Sequence, residues 1–287
     1  MELAPSLRTV QELHYRIESP ALGHFPGHHR SSRGDSGFEF RGHAALLDAP
    51  DPRRLDLHAS LRDPFGNWIV RVYSQRKAIP VVMVADLSAS MGFDGTRRKL
   101  DVLADFVDSL AWSAWRTGDS FGFVGCDSVV REDVLLPSTR VRGMGRELAQ
   151  SLRSLHLQGR SAHGLLAAHR YLGRQRSLVF LVSDFHLPLP EVEATLATMA
   201  HHDLVPVVLW DPLEFGLSAR RGLVQVTDPE SGVTRLLWWR PALREKWLMA
   251  HQQRRDALLR IFQVNRVKPL FIEGRFDADA VTRHFHS

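Results

Sequence analysis

The chain has 287 residues, 44% of them apolar and 24% charged, enough for one large domain with a smaller unit and too ordinary a mixture for a disordered protein. Its formal charge is +5, from 37 basic and 32 acidic residues scattered along the chain, so it carries no basic stripe of the kind that marks nucleic-acid binding. Cys126 is the single cysteine, which excludes an internal disulfide and suits a reducing compartment.

The first twenty residues contain acidic side chains and no apolar segment, so they do not read as a signal peptide. No stretch reaches the roughly 18 apolar residues of a membrane helix. The expected location is cytoplasmic, with no direct membrane insertion.

Residues 1–77 read as a small β-rich unit. Leu13, Tyr15 and Ile17 alternate; a Gly-, His- and Ser-rich loop runs from Gly23 to Gly37; Trp68 to Tyr73 is a β-branched, alternating strand. His28 and His29 lack a Cys or carboxylate at ligand spacing and read as loop histidines rather than a zinc site. Arg53, Arg54 and Asp56 read as ion pairs that dock this unit on the next one.

Residues 78–287 change texture. Ile79 to Ala85 is a continuous apolar run ending at an Asp, as expected of a parallel strand covered on both faces. Arg97 to Trp115 has helical apolar spacing and is closed at Gly118, with Asp119 in the turn. Strands are expected at Ser120–Gly125 and Leu178–Val182, and an edge strand or hairpin at Ser128–Leu136. Helices are expected at Arg146–Leu155 and Ala162–Leu172. Glu191 to His201 should be helical, with His201 and His202 complementing its dipole. Leu204 to Trp210 is the next strand. Leu223–Val226 and Thr234–Trp239 form a late hairpin that buries only one of Trp238 and Trp239. Pro241 opens a long helix, whose basic residues up to Arg260 read as a solvated face. Lys268–Ile272 and Asp277–Phe285 complete the chain as strand and helix. Alternating strands and helices specify an α/β fold: a doubly wound, mostly parallel sheet flanked by helices. Cys126, at the end of an apolar run, reads as a buried structural thiol.

Ligands in such a sheet bind beyond the carboxyl ends of its strands. Asp86-Leu-Ser88-Ala-Ser90 follows the first buried strand, Ser183-Asp184 follows a later one, and Gly159-Arg-Ser161 lies between them. Alone, Asp-x-Ser-x-Ser reads as a helix-capping loop sooner than as a site, since Ser and Asp are the favoured caps. Its placement after a buried strand, with a second strand-end Asp farther on, favours a hard divalent cation, Mg2+ or Mn2+. Two carboxylates leave such an ion room for an acidic group from outside, a partner's Asp or Glu.

VVMVADLSASM resembles the metal-ion-dependent adhesion site of von Willebrand factor A-like domains, and the chain as a whole resembles the DUF58 family. The resemblance extends to Gly34–Phe40, to Asp51-Pro-Arg-Arg-Leu-Asp56 with Ser60 and Arg62, to Gly118-Asp119, and to Asp228-Pro-Glu-Ser-Gly232. It implies that Ser88 and Ser90 bind metal through their hydroxyls and that Asp86 and Asp184 hold it directly or through water. Ser161 stands where the pattern usually has Thr, Ala49-Pro50 where it has Gly-Asp, and Leu57 where it has Trp. The resemblance further implies a non-enzymatic adaptor paired with a MoxR-type AAA+ ATPase in the maturation of a client protein, with one branch linked to methanol dehydrogenase. Two other readings compete. One is a metal-dependent phosphohydrolase with Asp86 as nucleophile, although Ser88 stands where a second acid is needed. The other is a nucleic-acid module, which has only net charge behind it.

Overall fold

The computed structural model describes residues 10–16, 26–30, 39–74, 76–215, 222–227 and 232–286. Ile17, residues 23–25 and 31–38 of the early loop and motif, and 228–231 of the late hairpin turn lie outside the described residues.

In chain order the strands and helices begin with β1 (Pro26–Arg30), β2 (Glu39–Ala45), α1 (Leu57–Arg62), β3 (Ile69–Ser74) and β4 (Arg76–Lys77). There follow β5 (Pro80–Asp86), α2 (Lys99–Arg116), β6 (Ser120–Cys126), β7 (Val130–Thr139) and α3 (Met144–Ser154). Next come β8 (Leu178–Ser183), α4 (Leu189–Thr198), β9 (Asp203–Trp210) and α5 (Pro212–Phe215). The chain ends with β10 (Gly222–Thr227), β11 (Thr234–Trp239), α6 (Pro241–Val264), β12 (Leu270–Glu273) and α7 (Ala278–His286).

Six strands form one sheet in the order β12-β9-β8-β5-β6-β7. All neighbours are parallel except β6 and the edge strand β7. β5 and β8 sit at the centre because both faces of each can be apolar: residues 81–86 and all of β8 are buried. One face packs on Leu100, Leu103, Phe106, Val107 and Leu110 of α2, the other on Val192 and Leu196 of α4 with Leu258 and Phe262 of α6. Each such fully buried side chain contributes about 1.5–3 kcal/mol of transfer free energy.

α2 ends where Gly118 takes φ +74°, the left-handed turn that glycine adopts without steric cost. Asp119 is more than a turn residue. Buried beneath that turn, it accepts hydrogen bonds from the Ile79 N–H (2.8 Å), the Tyr15 hydroxyl (2.6 Å) and Thr117 Oγ1 (2.9 Å). It thereby ties the start of β5 and the N-terminal segment to the end of α2. Leu13, in that same segment, is buried in the core of the large sheet, and its N–H donates to Ser113 Oγ of α2 at 3.0 Å.

Two short ribbons, β2-β3 and β1-β4, lie within residues 26–77. Asp56, expected in a docking pair, caps α1 and pairs with Arg71 and His43 of its own unit, and Arg54 pairs with Asp51. The expected helix over Ala162–Leu172 is a 3-10 helix, His163–Tyr171. The late hairpin pairs Leu223 with Trp238, leaves Trp238 exposed and buries Trp239. Cys126 is buried, and burial pushes its thiol well above its ordinary pKa. Among the described residues, no helix is long and apolar enough to cross a membrane.

Candidate metal-binding site

Four adjacent parallel strands each deliver an Asp at their carboxyl end. Asp86 ends β5, Asp127 follows β6, Asp184 follows β8 and Asp211 follows β9, and all four are buried. Parallel alignment forces this convergence, because every strand points the same way and every connection leaves from the same edge.

The four divide by task. Asp127 and Asp211 organise loops. Asp127 accepts from the Val129 N–H at 3.1 Å and pairs with Arg131. Asp211 accepts from the Thr96 N–H at 2.9 Å and the Leu213 N–H at 2.8 Å, which anchors the loop before α2. Asp86 and Asp184 are fully buried and lie beside the hydroxyls.

Asp86 is held on both oxygens. Oδ1 accepts from the Ser88 N–H at 2.8 Å, and Oδ2 accepts from the Ser183 hydroxyl at 2.6 Å. The extended Ser88 lets the chain turn directly into a short 3-10 helix, Ala89–Gly92. That turn brings Ser88 Oγ and Ser90 Oγ within 3.1 Å of each other. Burial and the neighbouring Asp184 charge push the Asp86 carboxyl up.

Asp184 faces the opposite environment. Burial also pushes its carboxyl up, but the Lys99 ammonium beside it and hydrogen bonds from Lys99 and Ser90 hold it below the usual range. Lys99 Nζ lies 2.9 Å from Asp184 Oδ2, only 3% exposed, and also pairs with Glu214. Trp210 Nε1 donates to the Asp184 carbonyl at 2.8 Å, fixing the strand end. Phe185 adopts φ +52°, a conformation uncommon for a residue with a side chain, so the turn after Asp184 is strained.

Gly159 forms a parallel bridge with Ser88 and accepts the Ala89 N–H at 2.8 Å. Ser161 follows two residues later and is half-buried. Gly159 is required there: a Cβ would stand 2.3 Å from Asp127 Cβ.

The donor set fits a hard divalent ion. Asp184 and Glu214 share the Lys99 ammonium, and Asp86 lies close enough to Asp184 for the two charges to oppose each other. The excess negative charge lies in a buried place, next to two hydroxyl oxygens that need no deprotonation to act as ligands. Asp184, His186 and Glu214 also have ligand atoms within 4.8 Å of one another, but Lys99 already supplies a cation between the two carboxylates.

The structure brings together Asp86, Ser88, Ser90 and Asp184, which the sequence singled out, with Ser183, to which the sequence assigned no role, and with Lys99 and Glu214, which it did not single out; nor did it single out Asp127 and Asp211. The last two were readable as apolar runs ending in Asp, the same signal that revealed Asp184. Lys99 carried no such signal, since a lysine at a helix start reads as exposed.

Comparison with known proteins places the chain. A curated relative, an uncharacterized protein in the moxR 3' region of Paracoccus denitrificans, is 33% identical over 101 residues, 35% of this chain and 96% of that one. Among solved structures, BatB from Bacteroides thetaiotaomicron aligns at a TM-score of 0.45 and 13% identity, covering 73% of this chain and 98% of that one. The SpRpn10 VWA domain aligns at 0.42 and 13%, covering 72% and 95%. The family model described as "Protein of unknown function DUF58" matches residues 50–257, and the chain belongs to that family.

Proposed function

We propose that the protein is a non-enzymatic adaptor that binds a protein partner through a divalent ion, Mg2+ or Mn2+. Asp86, Ser88, Ser90 and Asp184 hold the ion, and Ser161 adds a hydroxyl from the loop after Gly159. The ion, when bound, supplies a Lewis-acid link to a carboxylate of the partner. The observation that carries this reading is the pair of fully buried strand-end carboxylates beside two hydroxyls 3.1 Å apart. The protein's own residues do the rest. Ser183 orients Asp86, Lys99 orients Asp184 and offsets part of its charge, and the Ser88–Gly159 bridge sets the loop height.

The partner we infer is a MoxR-type AAA+ ATPase, acting with this protein in the cytoplasm on a client whose maturation it assists, methanol dehydrogenase being one candidate. A relative named for the moxR 3' region supports that choice. Residues 1–77 would act as a small unit beside the adhesion domain of 78–287, anchored to it through Leu13 and Tyr15.

The hydrolase reading is disfavoured by Asp86 itself. Both of its oxygens accept hydrogen bonds, it is wholly buried, and the residue two positions on is Ser88 instead of an acid.

The test is capture of the tagged protein from its native lysate in Mg2+ and in chelator, with Asp86→Ala alongside. The variant matters because an ATPase needs Mg2+ for its own nucleotide. An AAA+ ATPase retained by the parent in Mg2+ and lost by Asp86→Ala supports the reading. Equal retention by Asp86→Ala overturns it.

A further inference from the structure

A cleft of about 380 Å3 opens between the far end of α2 and the start of α3. Lys99 marks the metal-site end of α2, and Trp112 stands about 20 Å farther along that helix, so the cleft is remote from the metal site. Its walls are apolar: Trp112 and Trp115 of α2, buried Phe121 of β6 and Met144 of α3. Asp108 and Arg146, of opposite charge, also line it.

Helix periodicity builds the aromatic wall. Trp112 and Trp115 stand three residues apart and share a face of α2, with ring centroids 5.2 Å apart. Trp115 remains 36% exposed, so the wall is open to a ligand.

Arg142 adds a second, independent observation. Its guanidinium lies over both rings, 5.3 Å from the Trp112 centroid and 4.9 Å from the Trp115 centroid. A guanidinium resting on an aromatic face keeps N–H groups with which to grip a carboxylate through two parallel hydrogen bonds. Among the described residues, no carboxylate forms an ion pair with Arg142. The backbone holds it in place. Gly143 turns the chain from Arg142 into α3 at φ +93°, a conformation that favours glycine. Gly145 then lets α3 touch α2, because a Cβ there would stand 2.1 Å from Ala111 Cβ, next to Trp112. On the other side the Val141 N–H donates to Thr139 Oγ1 at 3.1 Å. The cation and the rings are therefore arranged before any ligand arrives.

We propose that this cleft binds a small aromatic carboxylic acid, with its ring against Trp112, Trp115 and Phe121 and its carboxylate on Arg142. Arg142 over an aromatic wall matches one negative charge on a flat apolar body. Asp108 in the same lining disfavours a multivalent anion. The volume is that of a small-ligand site.

The test is calorimetric titration with naphthoate in EDTA, so that no metal can draw the carboxylate to Asp86. Three probes are titrated in parallel: naphthamide keeps the ring without the charge, acetate the charge without the ring, and octanoate the charge on a body that is not flat. Naphthoate should saturate one site per chain, naphthamide and octanoate should bind more weakly, and acetate not at all. Arg142→Met keeps a stem over the rings and drops the charge. It should weaken naphthoate about tenfold, the loss of one charge-assisted contact, while leaving naphthamide binding unchanged and melting near the parent temperature. That combination separates a ligand role from a structural one. Asp86→Ala should bind naphthoate as the parent does, so the metal-site reading can fail without this one. Naphthoate that fails to bind, or that binds Arg142→Met as it binds the parent, overturns the proposal. So does octanoate bound as tightly as naphthoate, or naphthoate binding lost in Asp86→Ala.

Discussion

Lys99 reaches from the first turn of α2 to Asp184 at the end of β8, with 2.9 Å between Nζ and Oδ2 and only 3% of the lysine side chain exposed. The start of a helix and the end of a central strand are thus joined by a buried ion pair, and Glu214 joins it from α5. A buried pair adds little over an apolar contact, but breaking it is expensive, because the surviving charge stays buried and uncompensated.

Lys99→Met should therefore destabilise the protein by about 3–5 kcal/mol. Chemical denaturation reads this as a lower midpoint at unchanged slope. An unchanged midpoint would mean that the ammonium is not what holds Asp184 and Glu214 in place.

Gly159 is the second structural lever. Replacing it with Ala puts a methyl 2.3 Å from Asp127 Cβ, so the loop must move and the Ser88 bridge must open. Overpacking of this kind costs about 1–3 kcal/mol. Gly159→Ala should also lower metal affinity at least about tenfold, the equivalent of roughly 1.4 kcal/mol. Metal titration of the folded variant checks this. Full metal affinity would show that the Ser88–Gly159 bridge does not set the site.

Much of this architecture was visible before the structure. The apolar run Ile79–Ala85 and the strand at Leu178–Val182 could only be covered on both faces, which specified a parallel sheet and put Asp86 and Asp184 at one edge. Gly118 marked the end of α2 correctly. The site's second layer was less legible. Lys99 and Glu214 lie 115 residues apart in sequence, and only the sheet order β9-β8-β5 brings them together. After α3 the structure differs from the expectation: Ala162–Leu172 has helical apolar spacing, yet His163–Tyr171 winds as the tighter 3-10 helix, and within it Gly164 packs so closely on the loop after β6 that an added Cβ would stand 2.5 Å from the Val129 backbone.

Asp56 makes stability depend on pH in the small N-terminal unit. The Ala59 N–H and hydrogen bonds from Arg71 and His43 hold its carboxyl below the ordinary range. A folded-state pKa below the unfolded value, about 3.9 for Asp, gives stability that is present above that value and lost as pH falls through and below it. Asp56→Asn should be less stable than the parent at pH 7, and the gap should narrow as the solution is taken from about pH 5 toward pH 3. Unfolding curves across that range decide it. A gap that stays constant would mean that the charge on Asp56 contributes nothing.

The most direct measurement is a Mn2+ titration followed by electron paramagnetic resonance, in which free ion gives a signal that binding removes. It is run on the parent, on Ser88→Ala and on Asp86→Ala, each shown folded by circular dichroism. The account predicts one ion bound per chain of the parent, weaker binding by Ser88→Ala, and none by Asp86→Ala at the same concentrations. Mg2+ should compete the Mn2+ away, and at 100 times its Kd should raise the parent's stability by about 2.7 kcal/mol. An ion that binds Asp86→Ala as it binds the parent would contradict the adhesion site and remove the basis for a metal-bridged partner.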